Sequence, residues 1–227
     1  MIQLVLDDTL IYQHLFPFTL TRAAAEIRIG ILTIREKWSR LLGHPVLVNR
    51  ADDYLMPPAG DDAGAPVVFS GNIVPSAAFI SQLLEGVYSK ENFLQQSSVR
   101  ILQHPWHIFQ YNDWALREDF QLVTVGRRSQ PIPPSVMAIA PGNIFIEEGA
   151  LLQCCTLNAS AGPIYIGKNA EIMEGSVIRG PFALCEGAVV KMGARIYGAT
   201  TIGPYSVVGG EIKNSVIFGY SNKGHDG

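Results

Sequence analysis

The chain has 227 residues, a net charge of −3, 48% hydrophobic residues and 16% charged ones. That size and balance suit one large domain or two small ones with a real core, and they exclude a disordered chain. No Lys/Arg run is longer than Arg127-Arg128, so the basic footprint of a nucleic-acid binder is missing, and no apolar run is long enough to cross a bilayer.

The N-terminus, Met1-Ile2-Gln3-Leu4-Val5-Leu6-Asp7-Asp8, has no basic start and reads as a short strand rather than a signal peptide. Ile31, Ile34, Trp38 and Leu41 follow helical spacing, and Gly43 is placed to end that helix as a C-cap. Pro45-Val46-Leu47-Val48 and Val67-Val68-Phe69 read as strands. A second helix is expected from Pro75-Ser76, carrying Phe79, Leu83 and Leu84 toward Gly86. Arg100-Ile101-Leu102 is a further strand, followed by a helix containing Trp106, Ile108, Phe109 and Leu116. Alternating strands and helices imply a small α/β domain with a largely parallel sheet. In such sheets ligands sit at the carboxyl ends of strands, here Asp7, Asp8, Asn49, Arg50, Ser70, Gly71 and Asn72.

Pro131-Ile132-Pro133-Pro134 is a stiff joint. Beyond it the pattern changes. Stepping by six from Ile166 gives Ile166, Ile172, Ile178, Leu184, Val190, Ile196, Ile202 and Val208, every one aliphatic. The fourth residue after each is usually small (Ala170, Ser176, Ala188, Ala194, Thr200, Ser206), with Phe182 the exception. A period of six fits neither a helix nor a paired strand. It fits a coil closed by three short strands, whose aliphatic side chains stack from coil to coil at strand spacing. The register runs back through Leu152 and Ile146, across an insertion around Cys154–Pro163, and forward after Gly209-Gly210 to Ile212 and Phe218. The expected layout is an α/β domain over residues 1–130, a linker over 131–143, and a parallel β-helix of roughly four to five coils over 144–227. Three cysteines (Cys154, Cys155, Cys185), two of them adjacent and none in a C-x-x-C, suit neither a disulfide framework nor a zinc site and fit a reducing cytoplasm.

Several segments resemble a known family. Phe16-Pro17-Phe18-Thr19-Leu20-Thr21-Arg22, the run Glu26–Trp38, Gly198-Ala199-Thr200-Thr201-Ile202-Gly203-Pro204, Gly210-Glu211-Ile212-Lys213-Asn214-Ser215 and Ser221-Asn222-Lys223-Gly224-His225-Asp226-Gly227 look like the alternate, short-headed form of the GlmU-type family. That family joins an N-acetylglucosamine-1-phosphate uridyltransferase to a glucosamine-1-phosphate N-acetyltransferase. The resemblance implies a sugar nucleotidyltransferase-like head, a left-handed hand for the β-helix, a homotrimer, and synthesis of UDP-N-acetylglucosamine with acetyl-CoA as acyl donor. It maps an E-[MI]-K…K-x-G-H pattern onto Glu211-Ile212-Lys213 and Lys223-Gly224-His225. His225 would then be the general base for attack of the sugar amine on the acetyl thioester. Lys213 would hold the sugar phosphate as a point charge, with Lys191 and Lys223 as further cations. In the head, Arg22, Arg28 and Lys37 are the cations available to phosphates.

The chain also departs from that family. Asp7-Asp8-Thr9 stands where a Gly-rich phosphate loop is usual. Gly71-Asn72 replaces a Gly-Asp whose carboxylate holds Mg²⁺, and an amide is the poorer ligand for a hard cation. Pro105-Trp106-His107-Ile108-Phe109 carries His107 in place of an Asp. Mg²⁺ is therefore left unassigned. The sequence ends within a coil, from which a longer natural protein is expected, with its acyl-donor site beyond Gly227. Three readings stay open: the bifunctional transferase, a degenerate nucleotidyltransferase-like binding or assembly module, and a monofunctional hexapeptide acyltransferase.

Overall fold

The computed structural model describes residues 4–50, 67–86 and 98–226. Contacts divide the chain into two compact units, Met1–Ile27 with Leu32–Ile108, and Arg28–Ile31 with Phe109–Gly227.

The first unit is built on a three-stranded parallel sheet, Leu4–Asp7 in the centre, Leu47–Asn49 on one side and Val67–Ser70 on the other. Leu4 and Leu6 alternate into the core. Helix α1 (Ile34–Leu42) starts at a capping box. The Thr33 hydroxyl accepts the Glu36 amide at 3.2 Å, and the Glu36 carboxylate accepts the Thr33 amide at 2.7 Å. It ends at Gly43, whose φ of 76° suits a residue without a Cβ. The start at Ile34 leaves Ile31 outside the helix expected to include it. Trp38 is fully buried, donates its indole N–H to the Ile73 carbonyl at 2.9 Å, and meets Phe69 and Phe79 at 5.2 and 5.7 Å between ring centroids. Helix α2 (Ala77–Leu84) is capped by Ser76, which accepts the Phe79 amide at 3.2 Å. Ile73–Val74 pairs antiparallel with Arg100–Ile101, apart from the parallel sheet.

The second unit is a parallel β-solenoid of five coils, formed by three five-stranded sheets. Its first strand, Met137–Ile139, lies upstream of Ile144 and pairs with Thr156–Asn158. The aliphatic residues singled out by six-residue stepping stack as inward ladders, joined by Leu157 and Ile217, which the stepping does not reach. Leu157–Ile178–Ile196–Ile212 forms one and Ile146–Ile166–Leu184–Ile202–Ile217 another. Each fully buried Ile, Leu or Val contributes about 1.5–3 kcal/mol of transfer free energy. The small corner residues Ala170, Ser176, Ala188, Ala194 and Ser206 are fully buried too. Their serines are satisfied: Ser176 donates to the Lys191 carbonyl at 3.0 Å and Ser206 to that of Phe218 at 2.8 Å. The stepping slips after Ile212. Ile217, not Phe218, pairs with Ile202, because Asn214-Ser215 turns with two residues the corner that Gly198-Ala199-Thr200 turns with three in the coil below.

The helix expected across Trp106–Leu116 is two helices, α3 (His107–Gln110) and α4 (Asn112–Thr124). They break at Tyr111, whose φ of −93° and ψ of 0° lie outside the helical region, and Trp106 precedes both. Within the second unit, α4 buries Asn112, Ala115, Leu116, Asp119 and Val123. Asn112 accepts the Gly30 amide at 2.7 Å and donates to the Ala199 carbonyl at 3.0 Å. Asp119 accepts the Ile31 amide at 2.7 Å, and the Thr201 hydroxyl lies 3.0 Å from the Gly30 carbonyl. Arg127, just past α4, makes a two-pronged bond to Glu147 at 2.8 and 2.6 Å, and Glu147 also accepts the Tyr165 hydroxyl at 2.9 Å.

Candidate functional site

In the first unit, the chain passes from the central strand to one neighbour and later to the other, which makes the carboxyl ends of Leu4–Asp7 and Val67–Ser70 a topological switch point. A cavity of about 500 Å³ opens there, lined by Ile11, His14, Ser70, Asn72, Ile73, Ile101, Gln103 and His104. His14 comes from the turn Tyr12–Leu15 that follows the central strand and Ile11 immediately precedes that turn, and Gln103 and His104 follow the strand Arg100–Ile101. Ser70 and Asn72 form its polar floor. The Ser70 hydroxyl donates to Asn72 Oδ1 at 2.7 Å, and Asn72 Nδ2 donates to the Leu102 carbonyl at 2.9 Å. The His104 ring stacks on the half-exposed Trp106 at 4.4 Å, with 19° between their planes.

The loop after the central strand is tied down by its own carboxylates. Asp7 Oδ1 accepts the Thr9 hydroxyl at 2.7 Å and Asn49 Nδ2 at 2.6 Å, and Asp8 Oδ2 accepts the Ala24 amide at 3.0 Å. These bonds, with both ends of the Asn72 amide engaged, leave a poor oxygen set for Mg²⁺. Among the described residues no group of three or more His, Cys, Asp or Glu is placed to hold a metal ion. His107, which stands where the family pattern has an Asp, accepts the Gln103 amide at Nδ1 over 3.1 Å. Burial pushes its pKa below the ordinary histidine value, a hydrogen bond with the Ile101 backbone opposes this, and the neighbouring His104 adds to the lowering. Its ring is tied into this turn through the Gln103 amide.

The other head cations are dispersed. Arg22 is half-buried at a bend after Phe18–Leu20, and Lys37 is 2% exposed on α1. Arg28, in the segment that joins the second unit, bonds the Ile31 carbonyl and approaches Cys185 Sγ at 3.9 Å. None of the three lines the cavity.

At the last coil, three of the sequence candidates converge. A β-carbon at Gly209 would meet Lys191 Cβ at 3.3 Å, and one at Gly224 would meet Lys191 Nζ at 3.4 Å, so Lys191 reaches along the stack from Gly209 to Gly224. Lys223 Nζ donates to the Gly209 carbonyl at 3.1 Å and to the His225 carbonyl at 2.8 Å. His225 is exposed, with Nδ1 at 2.6 Å from the Asp226 carbonyl. With the proton on Nδ1 donated to that carbonyl, Nε2 keeps its lone pair and is the nitrogen able to accept a proton. Asp226 ties this corner back to the strand Glu211–Lys213, accepting the Glu211 amide at 2.6 Å and lying 3.6 Å from Arg195. Lys213 is two residues on in that strand, exposed, with Nζ 5.6 Å from the centre of the Tyr197 ring.

His14, Gln103 and His104 escaped the sequence reading. Each is a lone polar residue between apolar elements, and only the antiparallel pairing of Ile73–Val74 with Arg100–Ile101 brings the last two to the strand ends.

Residues 3–97, which contain the parallel sheet with α1 and α2, match the family described as Sugar nucleotidyl transferase. A search of curated proteins found no match. The chain thus combines a sugar nucleotidyltransferase-like α/β domain with a five-coil parallel β-solenoid, which supports a transferase in general terms.

Proposed function

We propose that the chain works in nucleotide-sugar synthesis and supports two transfers. In the head, a phosphate oxygen of N-acetylglucosamine-1-phosphate attacks the α-phosphorus of UTP and pyrophosphate leaves. At the last coil, the amine of glucosamine-1-phosphate attacks the acetyl-CoA thioester carbonyl, His225 Nε2 takes the amine proton, and the coenzyme A thiol leaves. The observation that carries the reading is the switch-point cavity: it opens at the strand ends of the sheet inside the matched segment 3–97, while Ile101, Gln103 and His104 close it from beyond that segment.

His14, His104 and the Gln103 amide line the cavity and are groups that can donate to phosphate oxygens there. At the last coil Lys213, Lys191 and Lys223 would neutralise the sugar phosphate. A cytoplasmic homotrimer with a left-handed helix is part of the same proposal and rests on the family resemblance.

The test has two arms on the natural full-length protein. Pyrophosphate release from UTP and N-acetylglucosamine-1-phosphate is expected and should fall at least tenfold in His104→Ala. Thiol release from acetyl-CoA with glucosamine-1-phosphate is expected and should vanish in His225→Ala. Absence of either product, or indifference to its variant, removes that half of the proposal.

A second reading, a binding or assembly module without turnover, is favoured by the engaged carboxylates of Asp7 and Asp8 and by Asn72. It requires UTP to bind equally well with and without Mg²⁺ in calorimetry, and no pyrophosphate to form.

A further inference from the structure

A groove of about 800 Å³ in the second unit is shared neither with the head cavity nor with the Lys191–Lys223–His225 corner. One wall is Phe109, Gln110, Asp113 and Arg117, from α3 and the start of α4. The other is the solenoid, with Arg179-Gly180-Pro181 and Tyr197-Gly198-Ala199 as its core. All of these residues belong to the second unit. We propose that this groove binds a phosphate ester carried on a ring, either a nucleoside phosphate or a sugar phosphate.

Arg179 is the charge-bearing reason. It occupies an outward position of the strand Val177–Arg179, exposed at the groove, whereas Ile178 beside it points into the ladder. Arg117 faces it from α4 with its orientation set. Asp113 takes its Nε at 2.6 Å and the Ala161 carbonyl takes an NH₂ group at 2.8 Å. Asp113 therefore holds Arg117 in place, and the lining keeps one cation in excess. Two guanidinium groups on opposing walls are the arrangement that clamps a phosphate.

The ring-binding part rests on two aromatics. Phe109 is 48% exposed at the groove, an apolar surface left uncovered. Tyr197 is fixed in orientation by its hydroxyl bond to Glu211, so its face is a pre-set wall. The floor is small by necessity. A β-carbon at Gly180 would lie 2.2 Å from the Gly162 carbonyl oxygen and one at Gly198 2.1 Å from Asn214 Oδ1, so glycine keeps the groove deep at both places.

The experiment is calorimetry on the intact chain with UDP, N-acetylglucosamine-1-phosphate and inorganic phosphate, paired with amide hydrogen exchange to locate each ligand. At least one ester should bind, protect residues 109–117 and 197–199, and weaken tenfold or more in Arg179→Ala, with Arg179→Lys between. Which ester binds more tightly separates a nucleoside phosphate from a sugar phosphate. Because Arg179 is exposed, its replacement should leave the unfolding midpoint unchanged, and a shifted midpoint is read by comparing Arg179→Gln. Three results overturn the proposal: neither ester binds; inorganic phosphate binds as tightly as both; or binding survives Arg179→Ala but is lost in His104→Ala. The last would place all binding in the head and leave the proposed head chemistry standing.

Discussion

Lys223 pairs with Val208 between the last two coils, and so stands on the inward ladder formed below it by Leu152, Ile172, Val190 and Val208. Its stem lies where an aliphatic residue is expected, while its ammonium turns out to the Gly209 and His225 carbonyls. The family resemblance assigns Lys223 to phosphate, and its position gives it a structural duty as well. Lys223→Met keeps the stem and removes two charge-assisted bonds, and should loosen residues 224–226 by about 1–2 kcal/mol. Lys223→Ala should also raise exchange at Val208. Amide exchange reads both, and equal protection in Lys223→Met and the parent would show that the ammonium holds nothing.

The ladders separate inward from outward positions on one strand. Ile178→Ala should lower stability by about 2–5 kcal/mol, because it removes buried methyl groups from a stack closed above and below. Val177→Ala, next door and 50% exposed, should change it by less than about 0.5 kcal/mol. Denaturant titration of the two variants checks the inward register directly.

Asn112 is a single side chain holding two buried backbone groups, the Gly30 amide and the Ala199 carbonyl. Asn112→Ala should lower stability by about 2–4 kcal/mol, since both partners lose their bond with no route to water. Thr201→Val removes a hydroxyl that donates to the Gly30 carbonyl beside Asn112 and should lower it by about 1 kcal/mol. If the two variants unfold at the same temperature, Asn112 is not the clamp.

The thiols should divide by burial. Cys154 is exposed, and Cys155 and Cys185 are buried. Iodoacetamide at pH 8 should label Cys154 alone in the folded protein and all three thiols after unfolding, as counted by mass spectrometry. Burial pushes the Cys155 thiol up from about 9 to about 11. The folded state therefore keeps a proton that the unfolded chain releases, and the stability this thiol contributes is intact below pH 9 and lost as pH climbs toward 11. Cys155→Ala should flatten that part of the alkaline unfolding curve.

What the residue pattern determined by itself was the solenoid, because a six-residue period is the coil geometry written out. Ile178, Val190 and Ile196 recur where each short strand must turn a side chain inward, and no helix or hairpin repeats that way. Likewise Leu4-Val5-Leu6, the Ile34–Trp38 face and Gly43 announced strand, helix and stop through local preferences. Tertiary structure alone decided where those regularities break. Asn214-Ser215 shortens a corner by one residue and exchanges Phe218 for Ile217, and Tyr111 splits α3 from α4. It also decided which polar residues meet. His14 and His104 are far apart in the chain and have no period of their own, and only the packing of strand ends onto a turn and an antiparallel ribbon gathers them at one cavity. Periodic burial is a local property of sequence, whereas a site of lone polar side chains is a property of long-range contacts.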